Sequence, residues 1–133
     1  MAFDLGNYNT VPERMTEFFA AYPEGSLKQV KYELVQIPMY VKGKEAGDPP
    51  MLAGEKTFLV YTAAAYRTPD DKCPGEGTAW EPVPGTTPYT KDSEMMNAET
   101  SAWGRAILAV GAADTRKGVA SREEVQSRRE GDW

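Results

Sequence analysis

The sequence predicts an α+β domain: a small antiparallel β-sheet packed on one long helix, with an N-terminal helix and a short C-terminal helix. Three observations carry this. Residues 56–67, KTFLVYTAAAYR, alternate between two fairly apolar faces, as a strand covered on both sides does. Residues 27–44, LKQVKYELVQIPMYVKGK, alternate as well. Around residues 92–110 the period changes, and Met95, Ala98, Ala102, Ala106, Ala109 and Val110 gather on one arc of a helix. Strands grouped together and then followed by a helix belong to α+β rather than α/β architecture.

Taken in order, NTVPERMTEFFAAYPEG reads as the first helix. Thr10 and Glu13 form a capping box, and Pro12 is tolerated in the first turn. Val11, Met15, Phe18, Phe19 and Tyr22 make one apolar face, and Pro23 with Gly25 ends the helix. In the next segment Val30, Tyr32 and Leu34 point one way, and Lys31, Glu33, Val35 and Ile37 the other. Pro38 is expected to break or bulge this strand, with MYVKG resuming as a second piece. KEAGDPPMLAGE, rich in turn residues, is expected to be a loop. In 56–67, Phe58, Val60, Thr62, Ala64 and Tyr66 line one face and Leu59, Tyr61, Ala63, Ala65 and Arg67 the other. One face is expected against helices, the other against a neighbour or ligand.

Residues 68–91 hold Pro69, Pro74, Pro82, Pro84 and Pro88 and read as a long arm, which Trp80 and Tyr89 pin or turn into a short strand. The main helix follows from about Asp92 to Val110, and DTRKG after Gly111 is a loop. Ser121 and Glu124 form a second capping box, opening a short basic helix and tail over 121–133. Residues 1–120 are thus read as one domain.

One residue breaks the pattern of the main helix. Glu99 falls at about 40° on the wheel from Met95, between Ala106 and Val110 on the packed stripe. A lone buried carboxylate is costly, so Glu99 is paired, protonated or at a subunit seam, or else it snorkels out at the stripe's edge.

Composition narrows the chemistry. With 41% apolar and 26% charged residues in 133, the chain reads as one soluble globular domain. No apolar run is long enough to span a membrane, and MAFDLGNYNT lacks the pattern of a secretory signal. The lone Cys73 forms no internal disulfide, which fits a cytoplasmic setting. The absence of histidine removes the commonest general base and the usual zinc ligand. There is no Gly-rich phosphate loop ending in Lys-Ser or Lys-Thr. No enzyme, metal site or cofactor is expected, and for Glu99 as an acid or base no second catalytic group stands at a suitable spacing.

The net charge of −5 is unevenly spread. Residues 25–67 carry six bases against four acids, whereas 68–100 carry two bases against seven acids. A local basic groove on the sheet is still able to bind a polyanion, with a steep salt dependence. A small open sheet also exposes its edges, which invites pairing with another copy.

The run MNAETSAWGRAILAVGAADTRKGVASREEVQ resembles a family of short phage recombination proteins in which Asn-Ala-Glu-Thr-Ser-Ala-x-Gly-Arg-Ala precedes a glycine, a loop and Val-Ala-Ser-x-Glu-Glu-Val. The opening YNTVPERMTEFFAAYPEGS is similar to their start. These proteins look like relatives of the single-strand annealing group of Sak and Erf types. The resemblance implies a β-β-β-α core, rings or filaments with single-stranded DNA in an outer groove, and a place in the cytoplasm of the bacterial host. Asn97, Glu99, Thr100, Ser101, Gly104, Arg105 and Gly111 match the motif, while Trp103 stands where the family has an aliphatic residue.

A candidate DNA-binding set follows. Ser101 and Arg105, at i and i+4, would meet one phosphate. Gly104 on the same helical face would admit a close backbone, or serve tight helix packing. Lys31, Lys56 and Arg67 supply charge on the sheet, and Tyr66 and Trp80 are the first candidates for base stacking, ahead of Tyr32, Tyr40 and Tyr61. Glu99 would hold helix to sheet through Lys31, Lys56 or Arg67, or bridge to the next subunit. The alternative is an acidic phage protein that binds a protein partner through Trp80 and the proline-rich arm.

Overall fold

The computed structural model describes residues 10–88, 90–111, Ser121 and Glu124. The sequence readings for Tyr89, for the loop at 112–120 and for the tail after Glu124 lie outside these residues. The element order is α1 (Val11–Ala21), β1 (Ser26–Val41), β2 (Met51–Tyr66), β3 (Gly75–Val83) and α2 (Glu94–Ala109). The three strands form an antiparallel meander in the order β1-β2-β3. This is the predicted α+β arrangement, with the sheet packed on α2.

At the start of α1 the expected capping box is present. Thr10 Oγ1 accepts from the Glu13 amide and Glu13 Oε2 from the Thr10 amide, both at 3.1 Å. Val11, Arg14 and Phe18 are the buried residues of the helix, so the core also takes in an arginine that the apolar stripe did not include.

The strands differ from expectation in three places. First, β1 runs unbroken through Pro38, which pairs with Glu55. β1 is an edge strand, and a proline there has only to turn its missing N–H away from the neighbour. The irregularities lie elsewhere, between Gln29 and Lys31 and between Met39 and Tyr40. Second, β2 begins at Met51, inside the segment expected to be a loop, which shortens the turn to 42–50. Third, much of the proline-rich arm is a strand. β3 pairs with β2 from Ala65↔Gly75 to Thr57↔Val83. Because it is the opposite edge, it accommodates Pro82 as β1 accommodates Pro38.

Alternation on β2 is as predicted. Leu59, Tyr61, Ala63 and Ala65 join Phe18, Ala98, Ala102, Ala106 and Ile107 in the core. This face is called inner below. The helix comes very close to the sheet because both sides are small. A Cβ at Gly77 would collide with the backbone of Ala102 and Ala106, so the alanine stripe of α2 lies almost on the backbone of β3. The other flank of α2 meets α1. A Cβ at Gly104 would stand 3.1 Å from Val11 and from the Arg14 guanidinium, so of the two readings for Gly104 the structure has tight helix packing. Met95 and Ala109, placed on the packed arc by periodicity, are exposed, whereas Ser101 and Gly104, expected to face a ligand, are buried. A wheel drawn for one buried stripe misses the second helix.

α2 lies over β3 and β2, and Tyr32 and Leu34 on the inner face of β1 stay exposed. β3 reaches only to Thr57, so Met51–Lys56 and the β1 residues opposite them form a two-stranded ribbon beyond the three-stranded sheet.

Candidate nucleic-acid interface

Register fixes what the outer face of the sheet carries. Directly paired residues share a face, so β1 contributes Lys28, Lys31, Glu33, Val35 and Ile37. β2 contributes Lys56, Phe58, Val60, Thr62, Ala64 and Tyr66, and β3 contributes Glu76, Thr78, Trp80 and Pro82. Three lysines therefore share this face with two glutamates.

Its aromatic side chains are organised. Trp80 stacks on Phe58 with centroids 4.5 Å apart and planes 22° from parallel. The Lys56 ammonium lies 5.4 Å from the Phe58 ring centre, and the Lys28 ammonium 5.1 Å from that of Tyr66. Such cation–ring contacts hold the lysine stems along the sheet while the charged heads remain near water. Phe58 is 8% exposed and Trp80 49%, so tryptophan caps the pair and offers its free side to solvent. Between the two aromatic groups Thr62 and Thr78 are joined by a 3.0 Å hydroxyl contact. From Lys56 to Tyr66 the strip is roughly 33 Å long at the usual rise of a strand.

Lys31, Lys56, Tyr66 and Trp80 of the predicted set are thus on one face. The rest of the set lies elsewhere. Arg67 follows β2, and its guanidinium grips Asp71 with Nε at 2.8 Å and Nη2 at 2.9 Å. Asp71 also accepts from the amides of Arg67 and Cys73, at 2.9 and 3.0 Å. The Arg67 side chain and these amides hold the Asp71 carboxyl well below the usual carboxylate range, and Asp71 raises the Arg67 guanidinium. Arg67 therefore organises its own loop. Ser101 is only 6% exposed, and Arg105 donates to Glu124 Oε2 at 2.7 Å. Both are on α2, across the sheet from the lysines. Glu124 in turn closes the predicted capping box, its amide donating to Ser121 Oγ at 3.2 Å. In this arrangement Arg105 ties α2 to the segment that Ser121 caps.

Glu99 joins the helix to the sheet, but through none of the three cations expected. Tyr61, fully buried, donates its hydroxyl to Glu99 Oε2 at 3.0 Å, with Gln29 Oε1 at 3.3 Å. Lys31 and Lys56 were excluded by facing the other side of the sheet, and Arg67 by its bond to Asp71. Burial, then the hydrogen bond to Glu99 and its charge, push the Tyr61 hydroxyl up to about 12. The half-buried carboxylate thus sits at the rim of the core and joins α2, β2 and β1 through a neutral donor.

Two residues were missed by sequence reading. Phe58 was placed on the correct face but not recognised as Trp80's stacking partner, because β3 was read as an arm. Lys28 was given no place on the sheet, and its face does not follow from the alternation of Val30, Tyr32 and Leu34. The irregularity at Val30 inserts one residue and returns Lys28 to the side of Lys31.

Among the described residues no three His, Cys, Asp or Glu side chains converge to hold a metal ion, and no helix is long and apolar enough to cross a membrane. Comparison with protein-family models, with curated proteins and with solved structures finds no match.

Proposed function

We propose that this chain binds single-stranded DNA on the outer face of its sheet and acts as a non-catalytic strand-annealing protein of phage recombination. The observation that carries the binding step is the Phe58–Trp80 stack, with Trp80 half exposed and Lys56 beside Phe58, on a face that also carries Lys28 and Lys31. Lysines track phosphates, and an exposed ring accepts any base on its face; together these are the parts of a sequence-tolerant single-strand site. The step from binding to annealing, self-assembly into a ring or filament, and a setting in the cytoplasm of an infected bacterium rest on the motif resemblance over residues 96–126. The reading needs no cofactor.

The competing reading, a protein partner held by a free proline-rich arm, has less to stand on, since residues 75–83 of that arm are built into the sheet. A gel shift with a labelled oligonucleotide tests the proposal. Binding is expected at low salt, weakening steeply with added salt and indifferent to base sequence. A parent protein that leaves the oligonucleotide unshifted at low salt ends the proposal.

A further inference from the structure

Among the described residues the outer edge of β1 has no neighbour in the sheet, yet its side chains are those of a covered strand. Val30, Tyr32 and Leu34 are 48%, 53% and 65% exposed. The edge is also self-complementary. Lys31 and Glu33 flank Tyr32 on the outer face, and an antiparallel copy of the strand centred on Tyr32 sets Lys31 opposite Glu33 of the second copy, twice. The backbone agrees with that centre. Pro38 turns its missing donor away from β2, and the register is regular from Lys31 to Met39. By two-residue alternation Tyr32 also turns its N–H and C=O outward. Two Tyr32 residues then exchange both hydrogen bonds across the axis.

We infer that β1 pairs with β1 of a second copy about a two-fold axis at Tyr32, forming a continuous six-stranded sheet. The pairing is isologous, so one patch serves both partners. Two opposite-charge pairs on the outer face and a Tyr32–Tyr32 contact on the inner face select this register over its neighbours. A slip of two residues would set Lys31 opposite Lys31 or Glu33 opposite Glu33. The inference stands without DNA binding, although it would align two lysine-bearing faces in one plane.

The test is solution mass by light scattering or sedimentation, on the full chain without DNA, at tens of micromolar. A dimer, or an assembly built of dimers, is expected. Lys31→Glu and Glu33→Lys should each weaken it roughly tenfold, since each turns two attractions into two repulsions. The double variant Lys31→Glu/Glu33→Lys should restore it. As a second readout, Tyr32→Cys in a Cys73→Ser background should crosslink to itself under mild oxidation, whereas Gln36→Cys in that background should not. A monomeric parent, or a double variant no stronger than either single one, overturns the inference; crosslinking at Gln36 in place of Tyr32 overturns the register.

Discussion

On β2, neighbouring residues face opposite surroundings. Leu59, Tyr61, Ala63 and Ala65 lie against α2, where small side chains bring helix and sheet close together. Phe58, Val60, Thr62 and Tyr66 look the other way, toward Trp80 and the lysines. The two faces are similar in apolar content, so hydropathy does not tell them apart. What separates them is the size of the neighbours. The inner face has alanine and glycine opposite it and closes. The outer face has tryptophan and lysine, and there Phe58, Thr62 and Ala64 are buried while Trp80, Lys28 and Lys31 stay exposed.

If that is right, the inner face governs stability and the outer face binding. The largest expected effect on stability is at Gly77. Gly77→Ala should destabilise by roughly 3 kcal/mol, at the upper end of the cost of overpacking, because the new methyl group meets helix backbone rather than a side chain that is free to turn. Denaturant unfolding with an unchanged midpoint would show that α2 does not lie this close to β3.

Next comes the polar rim of the inner face. Glu99→Ala should cost about 1–2 kcal/mol, since a buried hydroxyl loses its carboxylate while Gln29 remains within reach. Glu17→Ala, on the exposed side of α1, is the control and should change little. Equal melting temperatures would place Glu99 outside the core. A smaller effect is expected with pH. The Tyr61 pKa is raised in the folded state, from 10.0 to about 12. Its contribution is therefore fully present below pH 10 and lost as pH rises toward 12. The parent should lose stability over that interval more steeply than Tyr61→Phe; parallel curves would remove the shift.

On the outer face, truncation should leave stability nearly intact. Glu76→Ala should move the unfolding midpoint by no more than about 0.5 kcal/mol, since its side chain is exposed on the outer face of β3. A larger loss would mean that this face is as structural as the other.

These contrasts also show what was legible in the sequence. The faces of β2, the Thr10 and Ser121 capping boxes and the fold class follow from local periodicity and turn chemistry, which a single chain segment displays. Three features depend on partners distant in sequence and were not legible. β3 was hidden by its prolines, which only an edge position makes tolerable. The face of Lys28 was hidden because an inserted residue reverses alternation without leaving a compositional mark. The partner of Glu99 was sought among cations, as charge pairing suggests, but the residue opposite it is a tyrosine whose aromatic body belongs to the core. Ser101 and Arg105 were read as open to a phosphate because the wheel counted one packed side, while α1 and Glu124 supply others.

The most direct test of the two-face account is a salt series of oligonucleotide affinities for Trp80→Ala, Lys56→Ala and Arg105→Ala, each confirmed folded. Trp80→Ala should weaken binding by about 1–3 kcal/mol, the worth of one stacked base. Lys56→Ala should flatten the log–log salt slope by about 0.7, one phosphate contact on a single strand. Arg105→Ala, across the sheet and already paired with Glu124, should bind with the parent's affinity and slope. A loss at Arg105 matching that at Trp80 and Lys56, or no loss at the latter two, would contradict the account.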